Sequence, residues 1–292
     1  MQKPYPFVSV IIPVFQDQPG IERCLEAMAR QSYPRDRYEV IVVDNGSVPA
    51  IRVDDSSELR VRCIRCKTPG SYAARNAGVE QAAGEIFAFT DADCLPEPGW
   101  LEAGVAALQE QPFAVIGGDV AIQPPEVRTG TSLYQEGWGF QQRYNIEARG
   151  FIATANLFCY RETFDKVGWF DERLLSGGDL EWGTRARTRG ASLFYSMHAV
   201  VHTPPRSTLR GAIRQARRVA AGRRDVLRHG ILPTTPAVAG SLPLLARLDS
   251  ILSRPGLSPW ERVRVLCAAI TIRLAVAAEG LRLGMGGRAE RR

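Results

Sequence analysis

A chain of 292 residues that is 45% hydrophobic and 23% charged can bury a full core, as one large domain or one domain with an appendage, and this composition excludes a disordered or fibrous protein. The net charge of +6 conceals an asymmetry, because residues 203–292 carry 17 Arg against 5 acids while residues 1–202 hold 20 basic and 26 acidic side chains. An acidic body with an arginine-rich tail predicts a tail that meets something anionic: a lipid surface, a phosphate-bearing acceptor or nucleic acid.

The apolar, β-branched run at 7–14 reads as a buried parallel strand. Helical spacing follows over 18–31, with Ile21, Cys24, Leu25 and Met28 on one side. Further strands are predicted at 38–43, 61–66 and 86–90, with a helix at 71–83 before the last of them. Strands alternating with helices specify an α/β chain: an open, mostly parallel sheet flanked by helices. Beyond it come a strand at 113–122, a helix over 132–148, a short helix at 178–189 and a last strand at 193–201. Pro204 and Pro205 close this compact part, giving a domain over 1–203 with halves meeting near residue 95. The remaining 204–292 form a basic helical C-terminal region.

Six Cys, at 24, 63, 66, 94, 159 and 267, accompany an N-terminus with no basic-then-apolar leader run, so reduced thiols in a cytoplasmic protein are expected. The Cys63-x-x-Cys66 pair lies in a strand and has no second pair, which favours structural cysteines over zinc.

In an open α/β sheet, ligands bind at the carboxyl ends of the strands. The polar loops at 13–17, 44–47 and 91–94 all fall there, and each contains Asp. Asp91 and Asp93, one residue apart after the apolar run at 86–89, present two hard oxygen donors suited to a divalent cation that also binds diphosphate. Asp44, before Asn45-Gly46, can accept a hydrogen bond from a nucleobase imide or cap its own turn.

Taken in order, Val-Ile-Ile-Pro-Val-Phe at 10–15, Val-Val-Asp-Asn-Gly-Ser at 42–47, Ala-Arg-Asn-Ala-Gly at 74–78 and Phe-Thr-Asp-Ala-Asp at 89–93 resemble glycosyltransferase family 2, whose catalytic domain has the GT-A fold. The resemblance covers about residues 7–202, and four motifs in order are far more specific than any one. It implies that Pro13, Val14 and Phe15 pack on the donor nucleoside, that Asp44 contacts the base, and that Arg75 and Asn76 face the donor, Arg75 toward the diphosphate. It implies a metal and diphosphate motif at Asp91 and Asp93, with Asp93 the direct ligand of Mn or Mg, and a further metal or diphosphate contact at His202. His198, four residues earlier, is the weaker candidate.

The segment Ser176-Gly-Gly-Asp-Leu-Glu-Trp182 resembles the family's Glu-Asp motif and implies that Asp179 is the catalytic base, with Glu181 in reserve. Gly178 stands where the family has Glu. Without the resemblance, Asp179 is equally a helix cap, Arg75 a surface ion pair and His202 a polar strand end. The implied reaction is inverting transfer of a sugar from a UDP- or dTDP-linked donor to an acceptor hydroxyl, on a carbohydrate or lipid-linked acceptor of cell-envelope or polysaccharide synthesis. A nucleotidyltransferase would need a basic, Gly-rich phosphate loop after the first strand, and 15–20 has no Lys or Arg. A non-catalytic protein that binds a nucleotide sugar or nucleic acid is the other alternative; against nucleic acid, the tail offers few aromatics for base stacking.

In the tail, a helix over 207–229 aligns Arg210, Arg214, Arg217, Arg224 and Arg228 beside Leu209, Ile213 and Ala216. Such a basic amphipathic helix reads as an element on the anionic inner face of a membrane, or as one packed on the catalytic domain or a second subunit. A second helix at 260–283 is interrupted by Arg264, Arg273, Glu279 and Arg282, which excludes a transmembrane span.

Overall fold

Every strand predicted in the first 90 residues forms: β1 (Val8–Val14), β2 (Tyr38–Asp44), β3 (Val61–Arg65) and β4 (Ile86–Thr90). β1, β2 and β4 are buried along their whole lengths, which is why they read as continuous apolar runs rather than alternating ones. The computed structural model describes residues 5–53, 59–111, 113–228, 253–285 and 287. Between β1 and β2 runs α1 (Gln18–Ala29), started by Asp17, whose carboxylate accepts the Gly20 N–H at 3.0 Å. Its buried side carries Ile21, Cys24 and Met28. Between β3 and β4 runs α2 (Ser71–Gln81).

The chain continues through β5 (Leu95–Pro96), α3 (Trp100–Gln109), β6 (Ala114–Ile122), α4 (Gly130–Trp138), α5 (Gln142–Arg149), β7 (Asn156–Tyr160), α6 (Arg161–Val167), α7 (Gly178–Thr188) and β8 (Ser192–Thr203), then α8 (Leu209–Arg228) and α9 (Pro259–Gly284). Two compact units result, one of Met1–Val120 with Gln142–Thr203, the other of Ala121–Gln141 with Pro204–Arg292.

The sheet order is β3-β2-β1-β4-β7-β6-β8-β5. β3, β2, β1 and β4 are mutually parallel, whereas β7 is antiparallel to β4 and β6, and β5 to β8. The parallel sheet expected from strand–helix alternation is therefore confined to β3, β2, β1 and β4, and the antiparallel β7 makes the whole sheet mixed. Parallel pairing brings strand ends together, with Val14 opposite Asp44. Antiparallel pairing sets Asn156 opposite Thr90 and His202 opposite Leu95, so two further segments reach the neighbourhood of the 91–94 loop.

Asn156, fully buried, ties this region down: its amide donates to Asp119 O and Ala199 O and accepts from Trp100 Nε1, all within 2.7–2.9 Å. A side chain at Gly118 would collide with that amide. Under the sheet, Phe87, Phe89, Phe164, Phe170 and Trp182 form one aromatic cluster with centroids 5.4–6.4 Å apart.

The helix expected over 132–148 is two helices, because Gly139 (φ 64°) and Gln141 (φ 61°) adopt left-handed backbone that stops one and starts the next. α3, β5, β7 and α6 are additions to the predicted elements. Four thiols, Cys24, Cys66, Cys94 and Cys159, are buried, while Cys63 and Cys267 are exposed.

In the second unit, Leu133 and Tyr134 of α4, Ala212 of α8 and Val265, Ala269 and Ile272 of α9 share one core. Glu279 on α9 is buried and receives Arg217 at 2.7 Å and Arg282 at 2.6 Å, while Arg224 donates to the Gly280 carbonyl at 2.8 Å. This corrects the expectation of one open arginine face on α8: Arg217 and Arg224 turn to α9, the first to a buried carboxylate and the second to a backbone carbonyl. Arg210 and Arg214 are exposed; the side chain of Arg228, and His229, lie outside the described residues. Among the described residues no helix is long and apolar enough to cross a membrane.

Candidate active site

β1 delivers Pro13 and Val14 to the strand ends as buried residues, and of the nucleoside-loop trio Phe15 alone keeps partial exposure. β2 delivers Asp44, only 2% exposed. Its Oδ1 accepts the Ser47 N–H at 2.8 Å, its Oδ2 the Ile51 N–H at a longer 3.4 Å, and Arg65 lies 4.0 Å away. The turn is closed by Gly46 at φ 86°, a conformation glycine adopts freely. Asn45 then donates to Thr68 O and accepts from Gly70 N, which fixes the start of α2 against the β2 loop.

On α2, Arg75 is buried and donates from Nη2 to Asp91 Oδ1, with its guanidinium 5.6 Å from the Tyr72 ring centroid. Among the described residues its Nε has no hydrogen-bond partner. Asn76 does not join that group: its amide is spent on both backbone groups of Phe170 and on Glu172, at 2.9–3.1 Å, and it positions the segment before α7.

β4 leads into a loop that carries Asp91 and Asp93, both partly exposed, with the buried Cys24 and Cys94 beneath them. Burial first, then the two aspartate charges, pushes both thiols up, so they line the loop as neutral thiols. His202 is carried to this end of the sheet, but its Nε2 lies 2.7 Å from Glu97 Oε1. Among the described residues no group of three His, Cys, Asp or Glu side chains is gathered as a protein-only metal site requires. Two partly exposed carboxylates, the first anchored by Arg75, do fit a hard cation whose other ligands are diphosphate oxygens and water.

α7 begins at Gly178, after Gly177 in the left-handed conformation (φ 81°). Asp179, in the first turn, is held by Tyr72 through a reciprocal pair of contacts: the hydroxyl donates to Asp179 Oδ1 at 3.2 Å and accepts the Asp179 N–H at 3.2 Å. The Leu180 N–H also reaches Oδ1, at 3.0 Å. Burial raises the Asp179 carboxyl above its ordinary range, against the pull of the Leu180 N–H, Arg75 and the Tyr72 hydroxyl. Burial, then the Asp179 charge, raises the Tyr72 hydroxyl too, so it stays protonated as a donor.

A side chain at Gly178 would sit 2.7 Å from the Tyr72 ring. The tyrosine thus occupies the room that the Glu of the resembled motif would need, and it takes up the contact with the neighbouring aspartate. Tyr72 is missed from sequence alone; the one signal for it is the glycine itself, which says that something bulky lies against that position. Arg149 is also missed: its Nε is buried without a partner, its guanidinium lies 5.4 Å from the Phe151 centroid, and it feels the Asp179 charge. Glu181 is engaged elsewhere, in a two-bond pair with Arg185 at 2.7 and 2.9 Å that holds the chain at Val167 and Trp169.

A sheet whose strand ends carry Asp44, Asp91 and Asp93, with Arg75 bonded to Asp91 and acting electrostatically on the helix-start carboxylate of Asp179, fits the class of GT-A glycosyltransferases. The sequence profile of Glycosyl transferase family 2 matches residues 9–169. The chain is 37% identical to glycosyltransferase AglE of Haloferax volcanii over 77% of its own length and 76% of that protein's. It is 26% identical to the pre-mycofactocin glycosyltransferase of Mycobacterium tuberculosis, over 70% of this chain and 44% of that one. Among solved structures, the mannosyltransferase PcManGT from Pyrobaculum calidifontis, in complex with GDP-Man and Mn2+, shares the fold with a TM-score of 0.57 at 21% identity, over 97% of this chain and 80% of that one. S. aureus TarS 1-349 in complex with UDP-GlcNAc gives 0.52 at 18% identity, over 92% and 81%. The chain belongs to glycosyltransferase family 2.

Proposed function

We propose that the chain transfers a sugar from a nucleotide-diphosphate donor to an acceptor hydroxyl with inversion at the anomeric carbon, and that residues 1–203 carry the chemistry. The observation that carries this is Asp179: a carboxylate raised by burial, locked by Tyr72, and under the charge of the same Arg75 that bonds Asp91. The described hydrogen bonds to the carboxylate end on Oδ1, which leaves Oδ2 for the acceptor's proton. As the acceptor oxygen bonds to the anomeric carbon, its proton passes to Oδ2 and the bond from that carbon to the diphosphate breaks. Arg75 then faces the growing negative charge on the leaving group with an Nε free to donate.

Asp93 and Asp91 would hold a divalent Mn or Mg, which when bound neutralises the diphosphate. His202 would join that set by giving up Glu97. Phe15 supplies the exposed apolar surface for the nucleoside. Asp44 suits the imide of uracil or thymine through its Oδ2, whose bond from Ile51 is long, hence a UDP- or dTDP-sugar. The acceptor we propose is a carbohydrate or lipid-linked saccharide at the cytoplasmic face of an anionic membrane.

Transfer assays with radiolabelled UDP- and dTDP-sugars and Mn2+ test the assignment. Asp179→Asn should lose on the order of 10²-fold or more in kcat while its melting temperature stays near wild type. A folded Asp179→Asn with full activity sinks the base.

A further inference from the structure

α9 carries two opposite apolar faces. Val265, Ala268, Ala269, Ile272 and Leu283 are buried within the second unit. On the other side, Trp260, Val263, Cys267, Ile270 and Leu274 recur at spacings of three and four residues and Leu281 follows seven residues on, which aligns them in one stripe along the helix. All six are exposed, the five largest by 47% to 70%. A contiguous apolar stripe of this length on a surface helix marks a binding face.

The charges around the stripe say what it meets. At 100° per residue, Arg262 and Arg273 fall along one margin and Arg264 along the other, where Arg282 is committed to Glu279. The only two acids of α9, Glu261 and Glu279, fall on the far side, and both are engaged: Glu261 by Arg128 at 2.7 Å, Glu279 by Arg217 and Arg282. An apolar stripe with a Trp at one end, arginines on both margins and no acid complements an interface where hydrocarbon meets anionic headgroups. A second copy of the same face would set arginines against arginines with no carboxylate between them.

We infer that α9 is an in-plane membrane element that seats its Trp260–Leu281 stripe at the surface of an anionic bilayer, without spanning it. The inference rests on the membrane-side acceptor proposed above and relocates the contact from the arginine side of α8, two of whose arginines are bonded within the unit.

The test is flotation of the full chain with vesicles of phosphatidylcholine alone or mixed with phosphatidylglycerol, beside donor hydrolysis on the same preparations. Wild type should float with the mixed vesicles and stay behind with the neutral ones. Ile270→Glu with Leu274→Glu should lower the floated fraction by about tenfold, Arg262→Glu with Arg264→Glu should lower it severalfold, and Arg210→Glu with Arg214→Glu on α8 should change it little. These positions are exposed, so melting temperatures should match wild type. No flotation of folded wild type, or flotation lost through the α8 pair and kept in the α9 pairs, overturns the assignment. So does a lipid-free dimer that Leu274→Glu converts to monomer, because a second copy then covers the stripe. Donor hydrolysis that persists without flotation removes this inference alone; flotation without any donor turnover removes the transferase proposal alone.

Discussion

At Tyr72 and Gly178 two positions 106 residues apart in sequence explain each other. The hydroxyl fixes Asp179, and the ring fits only because position 178 has no side chain. Tyr72→Phe removes one bond from the carboxylate and keeps the packing, so kcat should fall by roughly tenfold with KM for the donor little changed. The hydroxyl helps hold the Asp179 carboxyl down against burial. The base works ionised, so activity falls as pH drops through its pKa, and in Tyr72→Phe that acidic limb should move to higher pH. An unmoved limb in the kcat–pH profile would show that the tyrosine only fills space. Gly178→Ala forces a methyl group into the ring and should cost about 1–3 kcal/mol in urea denaturation. Asp44, Asp91, Asp93 and Asp179 are visible in the sequence because each sits at a strand or helix end. Tyr72 is invisible, because nothing local records that its partner lies on another helix.

Among the elements, the buried strands β1, β2 and β4 are the most readable, since burial on both faces leaves an uninterrupted apolar run. The antiparallel half is less so: β7 is only five residues, and its neighbours in the sheet are distant in sequence. The break between α4 and α5 turns on left-handed backbone at Gln141 as well as Gly139, and a glutamine does not announce it. In the helical unit the arginine spacing of α8 was legible but its destination was not, because that depends on Glu279. Arg282, then Arg217, hold the Glu279 carboxyl down at about 2 against the push of burial. A depressed carboxylate adds stability that is complete above its ordinary value of 4.5 and is lost as pH falls toward 2. Glu279→Gln should therefore lower the unfolding free energy at pH 7 by about 2 kcal/mol and flatten its dependence on pH between those values, measured by urea titration followed by circular dichroism. An equal acid dependence in variant and wild type would place the titrating group elsewhere.

For the whole molecule, the contrast between an acidic body and a basic tail was plain from composition, and it corresponds to an α/β unit and a helical unit, although residues 121–141 group with the tail. A donor that binds only the folded catalytic unit stabilises it by mass action, about 2.7 kcal/mol at a hundredfold excess over Kd. With Mn2+ present, UDP or dTDP should raise the melting temperature more than GDP at equal concentration; a dominant shift with GDP would count against the role of Asp44. The six cysteines carry a practical consequence of burial. Reactivity toward a maleimide needs an accessible sulfur that can ionise, and of the six only Cys63 and Cys267 reach solvent, the first in the α/β unit and the second in the helical unit. The native protein should thus accept two labels and the denatured protein six, and a donor–acceptor dye pair placed without any engineered cysteine would report how the distance between the two units responds to a sugar nucleotide.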